Sequence, residues 1–310
     1  MRSFVVGAAG FLGSHLVDAL LTRGDEVVAL DNMLTGSRDN LSDHPHLRFI
    51  NGNLSYLERY TNDMPRPDAI FHLATPASPE AYWKYPLETA EANSLGTIHL
   101  LRYAKLCGAT LLYTSSSEVY GNAQMVPQPE NYWGNVNPMG VRAIYDEGKR
   151  FSEALIASAV RRGEVKAMVV RLFNTYGPRL SPMDGRAVPT FIRQAIAHET
   201  MTVHAPGTQT RSFCYVSDTI EGILAANAYG GEELVFNIGN PEETSVLMLA
   251  EMINRLCGDH CLINIVDGRQ EEIARRVPDI TRAKTLLGWQ PTVGLVQGLD
   301  TTISWYQERM

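Results

Sequence analysis

The sequence predicts an α/β protein with a parallel sheet covered by helices on both faces, followed by a smaller C-terminal lobe. Two observations carry this. Up to about residue 175, short and almost wholly apolar runs alternate with longer segments of helical period. Strands that are apolar at every position are strands buried on both faces, as in parallel sheets. Beyond "YGPRLSPMDG", prolines and glycines punctuate shorter elements, which marks a less regular unit. The expected division is 1–175 for the first domain, with a returning segment near 212–240, and 176–310 mainly for the second lobe.

Taken in order, "RSFVVGA" is a buried strand and "GFLGSHLVDALLTRG" a helix stopped at Gly24. "EVVALD", "LRFING" and "PDAIFHLA" are further strands. "PLETAEANSLGTIHLLRYAKLCG" has the period of one long helix closed by Gly108, and "TLLYTSSS" is the next strand. A helix carrying Tyr145 follows, then the strand "KAMVVRLFN". "ELVFNIGN" is expected to return to the main sheet. The alternation follows from physical periods of 2 for strands and 3.6 for helices.

The bulk numbers narrow the function. The 310 residues are 45% hydrophobic and 20% charged, with a formal net charge of −7. Such a chain has no global field for phosphate backbones, so nucleic acid is not an expected partner. An anionic ligand must instead be caught by individual arginines. No apolar run reaches the ~18 residues of a membrane span, and the N-terminus does not resemble a secretory signal. A cytoplasmic protein with reduced thiols is expected. Of the four cysteines, only "CGDHC" (Cys257 to Cys261) faintly suggests a metal. It lacks a second ligand cluster, so no metal is expected.

Between the first strand and helix, "GAAGFLG" spaces Gly7, Gly10 and Gly13 as G-x-x-G-x-x-G. Glycines there allow a tight turn, close backbone approach to a pyrophosphate, and a helix N-terminus aimed at its charge. The second strand ends in Asp31, eighteen residues after Gly13. Its carboxylate can accept from adenosine ribose hydroxyls and would repel a 2′-phosphate, which favours NAD over NADP. Asn53, after the third strand, sits where an adenine amino group could be met. "HLAT", ending at Thr75, reaches the same carboxyl edge. The fold expected is therefore a Rossmann-type doubly wound parallel sheet, with a smaller C-terminal substrate-binding lobe.

"AIYDEGKRFSEA" places Tyr145 and Lys149 four residues apart on one helix face. Alone, such a pair is as easily a surface feature of an amphipathic helix. Beside a nicotinamide it has a purpose. A tyrosine of pKa ~10 must fall to about 7 to act as a base, which takes roughly 4 kcal/mol. A neighbouring cation supplies about 1–3 units, with the positive nicotinamide adding to it. Gly148 would admit the cofactor or a neighbouring helix. The strand "LLYTSSSEVYG" ends in Ser115, Ser116 and Ser117, then Glu118. A hydroxyl there can hydrogen-bond the substrate oxygen that Tyr145 deprotonates.

At these residues the chain resembles the extended short-chain dehydrogenase/reductase superfamily, whose members process nucleotide sugars. Within it the chain is most similar to the UDP-glucuronate decarboxylases (UDP-xylose synthases). The segments that carry the resemblance include "HLATPASPEAYWKYP", "SSSEVYG", "YWGNVNPMGVRAIYDEGKR", "RLFNTYGPR", "GTQTRSFCYVSD" and "RRVPDITRAKTLLGWQP". The resemblance implies C4 oxidation by NAD with Tyr145 as base, loss of carbon dioxide from the β-keto acid, and return of hydride. It implies roles for Lys149, Ser116, Ser117, Glu118 and Arg276 in this chemistry. Phe11, Leu12, Asn32, Thr35, Gly36, Leu54, Leu73, Ala74, Thr75 and Thr175 join Gly7, Gly10, Gly13, Asp31, Asn53, Tyr145 and Lys149 as expected cofactor contacts. Asn93, Asn174, Arg186 and Arg211, with Glu118, Tyr145 and Arg276, are the expected UDP-sugar contacts, since arginine forks suit a diphosphate. It also implies a homodimer through a helical bundle that includes the Tyr145 helix.

The chain departs from the family pattern in three places. Asn53 replaces a common aspartate, Ser116 stands where threonine is frequent, and Val141 and Ile144 replace the residues usual before the tyrosine. Three alternatives stay open at this stage. A nucleotide-sugar 4,6-dehydratase shares the C4 oxidation but carries Asp-Glu at positions 117 and 118. A 4-epimerase typically lacks the glutamate at 118. A catalytically silent NAD-binding regulator would keep the glycine loop and lose the chemistry.

Overall fold

A computed structural model describes residues 1–62, 64–268 and 273–310. Seven strands form its main sheet: β1 (Arg2–Val6), β2 (Glu26–Asp31), β3 (Leu47–Asn51), β4 (Ala69–His72), β5 (Thr110–Ser116), β6 (Ala167–Leu172) and β7 (Val235–Ile238). They lie in the order β7-β6-β5-β4-β1-β2-β3, every neighbouring pair parallel. The longer helices are α1 (Phe11–Thr22), α2 (Thr97–Cys107), α3 (Ala143–Arg161), α4 (Ala187–Ile196), α5 (Val216–Ala228), α6 (Val246–Leu256) and α7 (Leu295–Gln307).

Strand β1 shows why the sheet takes two helical layers. Successive side chains point to opposite faces, and neither face of β1 meets water. Val5 joins one core with α1 residues Leu16 and Leu20 and α5 residues Ile220 and Ile223. Phe4 and Val6 join the other, with Leu100 of α2 and Ile156 of α3. Truncating Phe4 to alanine would cost about 3–5 kcal/mol. The strand order reverses between β1 and β4, which opens a crevice beyond their carboxyl ends, the usual ligand position in such sheets.

The helix expected over the segment from Pro86 to Gly108 is not continuous. It runs as Pro86–Glu91, passes through one π turn at Ala92–Gly96, and resumes as α2. The turn widens because backbone carbonyls have side-chain donors to meet. The Asn93 carbonyl accepts from Ser152 at 2.5 Å and from Thr97 at 3.2 Å, and that of Ala92 lies 3.2 Å from His72 Nε2. Such π turns often mark functional sites. The helix ends where expected, with Gly108 at φ 68°.

Helices α4, α6 and α7 pack around Phe191, Ile192, Leu249, Ile253, Leu299 and Tyr306 as a separate apolar core. Two small sheets flank it. Met201–His204 pairs with Ile263–Val266. Thr210–Ser212 pairs with Glu243–Ser245 on one side and Arg275–Arg276 on the other. The last pairing sets Arg276 opposite Arg211. Among the described residues, no helix is long and apolar enough to cross a membrane.

Candidate active site

The crevice begins at the glycine loop. Gly7 has φ +83°, and a Cβ there would lie 2.6 Å from the Ala74 nitrogen at the end of β4. A Cβ on Gly13 would lie 1.9 Å from the Gly7 carbonyl oxygen, so α1 can pack this close only on glycine. Gly10 precedes α1 without any side-chain cap, and the first turn contains no acidic residue. A helix N-terminus left this way presents amides and positive dipole to an anion. Asp31 fixes the loop from the side, accepting from the Ala9 amide at 2.9 Å and the Met33 amide at 2.7 Å. Burial pushes its carboxyl above the usual range, opposed by these amides. Ser37 and Asn40 donate to the Ala9 carbonyl and wrap the loop that carries Asn32, Thr35 and Gly36 around the glycines. Asn53 uses its side-chain carbonyl to accept from the Ser55 amide at 2.8 Å, directly before Leu54. These residues fit a dinucleotide: a backbone cradle that a Cβ would fill, an open helix N-terminus and a carboxylate beside it.

Helix α3 presents its Tyr145–Lys149 face to the same crevice, and both residues are buried. Lys149 Nζ donates to the Thr114 carbonyl at 2.8 Å and lies 4.7 Å from the Tyr113 ring centre and 5.7 Å from that of Tyr145. Burial pushes the ammonium down to about 7, opposed by Glu153 one turn further along. Burial raises the Tyr145 phenol well above its ordinary value, and Ser116 only partly opposes this. Gly148 serves a neighbouring helix: a Cβ there would stand 3.3 Å from the Asn93 Cβ on the π turn.

Beyond the phenol lies an ion cluster. Glu118, in the single 3-10 turn Ser117–Tyr120 after β5, takes the fork of Arg142 at 3.1 and 2.5 Å and also pairs with Arg276. The two guanidinium groups hold its carboxyl down at about 2 against the opposing effect of burial. One Arg276 nitrogen, Nη2, is buried with no partner among the described residues. Sequence reasoning missed Arg142, which sits at the N-cap of the Tyr145 helix three residues upstream. It also missed Tyr82, whose ring stacks on that of Tyr145 with centres 5.3 Å apart and planes at 17°. The signal for both was present, in "EAYWKYP" and "GVRAIYDEGK", but no spacing rule singles either out.

The other anticipated residues are placed as follows. Ser116 accepts from the Glu118 amide at 3.2 Å and neighbours the phenol; Ser117 is buried at the start of the 3-10 turn. Arg186 pairs with Asp184 and is close enough to Tyr145 to affect it. Arg211 donates to the Thr210 and Ile273 carbonyls. Asn174 donates to the Ser212 carbonyl at 3.3 Å. Thr175 is buried against Thr219. Asn93 lies on the π turn. It is wholly buried, its amide nitrogen bound to Thr75 and Thr89, its oxygen to Tyr113. In this chain it braces the wall behind the site.

A dinucleotide cradle opening onto a buried Tyr-x-x-x-Lys pair defines an NAD-dependent enzyme of the extended short-chain dehydrogenase/reductase class. The chain belongs to the NAD dependent epimerase/dehydratase family, whose model matches residues 3–239. It is 46% identical to UDP-glucuronic acid decarboxylase 5 of Arabidopsis thaliana, with 96% of this chain and 87% of that protein covered. It is 42% identical to UDP-glucuronic acid decarboxylase 1 of Xenopus tropicalis, with 100% and 73% covered. Among solved structures it resembles UDP-glucose 4-epimerase of Thermotoga maritima with UDP-glucose, at TM-score 0.92 and 29% identity over 99% of both chains. It also resembles a dTDP-glucose 4,6-dehydratase of Streptomyces venezuelae with NAD and TYD bound, at TM-score 0.90 and 27% identity over 100% and 98%.

Proposed function

We propose that this chain converts UDP-glucuronate to UDP-xylose and carbon dioxide, using NAD that is regenerated in each turnover. The observation that carries this reading is Glu118, held as an anion between Arg142 and Arg276 next to Tyr145. Ser117 precedes it where dehydratases carry an aspartate, and a serine is a poor proton donor to a leaving hydroxyl. Two guanidinium groups sharing one carboxylate suit a substrate that brings a carboxylate of its own.

NAD held in the glycine-loop cradle would supply a hydride acceptor for C4 and, in its oxidised form, positive charge near the phenol. Tyr145 takes the O4 proton and later gives it back, with Ser116 bonding the same oxygen and Lys149 holding the nearby ribose. The C4 ketone lies β to the C6 carboxylate, so it receives the electron pair when the C5–C6 bond breaks. Ser117, Glu118 and Arg276 act at this step and at reprotonation of C5. Gly7, Gly10, Gly13, Asp31, Asn53 and the loops around them hold the dinucleotide, while Asn174, Arg186 and Arg211 hold the UDP moiety. The first domain, 1–175, thus binds cofactor, and 176–310 mainly binds the nucleotide sugar.

The chain acts as a cytoplasmic homodimer in this reading. Four free thiols support a reducing compartment. Exposed Leu95, Leu106 and Phe151, on the π turn, α2 and α3, support an apolar dimer face. The test is incubation with UDP-glucuronate without added NAD, following carbon dioxide and nucleotide products by mass. Carbon dioxide with UDP-xylose supports the reading. Loss of water, an inverted hexuronate or no reaction overturns it in favour of dehydratase, epimerase or a silent binder.

A further inference from the structure

Decarboxylation of a carboxylate consumes a proton. When the C5–C6 bond breaks, its electron pair enters C4–C5 and leaves negative charge on O4, and C5 must then gain a proton. The proton that Tyr145 removes from O4 is returned to O4, so it is not available. Glu118 is held ionised by two arginines. Lys149 is bonded to the Thr114 carbonyl and responds to Glu153 rather than to the arginine cluster. The site therefore needs one more acid.

Asp146 follows Tyr145 on α3 and is 4% exposed. Its Oδ1 is buried without a hydrogen-bond partner among the described residues. The charged and titratable groups around it are Glu118 from the turn after β5, Arg276 from the C-terminal strand, Tyr82 from the short helix Pro79–Lys84, and Arg142, Tyr145 and Glu147 on its own helix. Arg142 forks onto Glu118 and Arg276 Nη1 bonds it, while Arg276 Nη2 has no partner among the described residues. An ionised carboxylate with an orphan buried oxygen, next to a second fixed carboxylate, is the costly state, and the protonated acid is the cheaper one. Burial and Glu118 accordingly raise this carboxyl to about 8, against the pull of Arg142 and Arg276.

We infer that Asp146 is the proton store from which C5 is protonated after carbon dioxide leaves. This rests on the decarboxylase reading. One proton passes from Asp146 to C5, Asp146 is left as a carboxylate, and solvent reprotonates it before the next turnover. With Asp146 protonated, two guanidinium groups face one carboxylate, and this single excess positive charge matches the substrate's C6 carboxylate. As the substrate charge is lost with carbon dioxide, ionisation of Asp146 replaces it.

The test uses the NAD-loaded protein and UDP-glucuronate in single-turnover experiments. In Asp146→Asn, carbon dioxide release is expected to persist while UDP-xylose forms about a hundredfold more slowly, within the usual range for a lost general acid. Reduced cofactor, read by its absorbance, should persist correspondingly. The fall in wild-type product formation as pH rises through about 8 should be missing from the variant. Product formation within twofold of wild type, with that alkaline limb unchanged, overturns the inference. If the variant does not fold, infrared difference spectra of wild type decide. A protonated-carboxyl band that bleaches after carbon dioxide release and then recovers supports the store, and its absence overturns it. Failure of wild type to release carbon dioxide would instead defeat the decarboxylase reading itself.

Discussion

Replacing Lys149 with methionine should stabilise the cofactor-free protein while stopping turnover. The ammonium is wholly enclosed, and burial lowers its pKa from 10.5 to about 7. At about 1.36 kcal/mol per unit, keeping it charged in the fold costs on the order of 5 kcal/mol relative to the neutral amine. Methionine removes that cost but leaves the Thr114 carbonyl without its donor, a loss of about 1–3 kcal/mol. The net gain is about 2–4 kcal/mol, or roughly 3–6 °C in Tm for a chain of this length. The pH dependence fixes the sign. A lysine whose folded pKa is depressed binds fewer protons folded than unfolded between about pH 7 and 10.5, so wild-type stability rises across that window. The gross advantage of methionine should therefore shrink from about 5 kcal/mol near pH 6 to about 2 kcal/mol near pH 9. Thermal melts of cofactor-stripped wild type and variant at these two pH values measure it, with carbon dioxide release as the activity readout. A variant that melts below wild type near pH 6, or a gap that does not narrow, refutes the reasoning.

Three further outcomes are expected. Tyr145→Phe should lower turnover by about 10²–10⁴ with an unchanged circular dichroism spectrum; unchanged turnover would remove the phenol from the chemistry. Glu118→Gln leaves the buried Arg276 and the half-buried Arg142 without their carboxylate and should cost about 3–5 kcal/mol in denaturant unfolding. Because the Glu118 carboxyl is held below its unfolded value, its stabilisation is full above about pH 4.5 and is lost as pH falls toward about 2. The variant should lack that part of the acid sensitivity. Gly13→Ala forces a Cβ against the Gly7 carbonyl, an overpacking of about 1–3 kcal/mol. If that falls on the loaded state, calorimetry should show NAD binding weakened by about 5- to 150-fold.

Much of the architecture was legible because the strands announce themselves. A residue such as Phe4 or Val5 needs no partner information to be read as buried. Glycines spaced as Gly7, Gly10 and Gly13 between strand and helix have little use except where backbone must come close. What escaped depended on contacts distant in sequence. The interruption at Asn93 comes from Ser152, Thr97 and His72 competing for its turn's carbonyls, and helical period alone does not reveal it. The partners of Asn93 were hidden for the same reason, since all three lie on other turns and strands. The burial that raises the Tyr145 phenol was hidden too, because desolvation is set by everything packed around it, whereas the sequence displays only the neighbouring cation. Arg142 and Asp146 stood in plain view beside Tyr145. Their roles emerge only once Arg276 arrives from the far end of the chain.

The pairing of Glu118 with Arg276 spans 158 positions and is reinforced by Gln128, which exchanges backbone and side-chain bonds with Val277. During synthesis, the cofactor-binding sheet can assemble while position 276 is still inside the ribosome, since domains generally fold as units from the N-terminus. In that interval Glu118 has only Arg142, and the charge balance around Asp146 differs from that of the finished protein. In the proposed reaction, a nascent chain that has not yet reached this segment lacks one of the two guanidinium groups that hold Glu118.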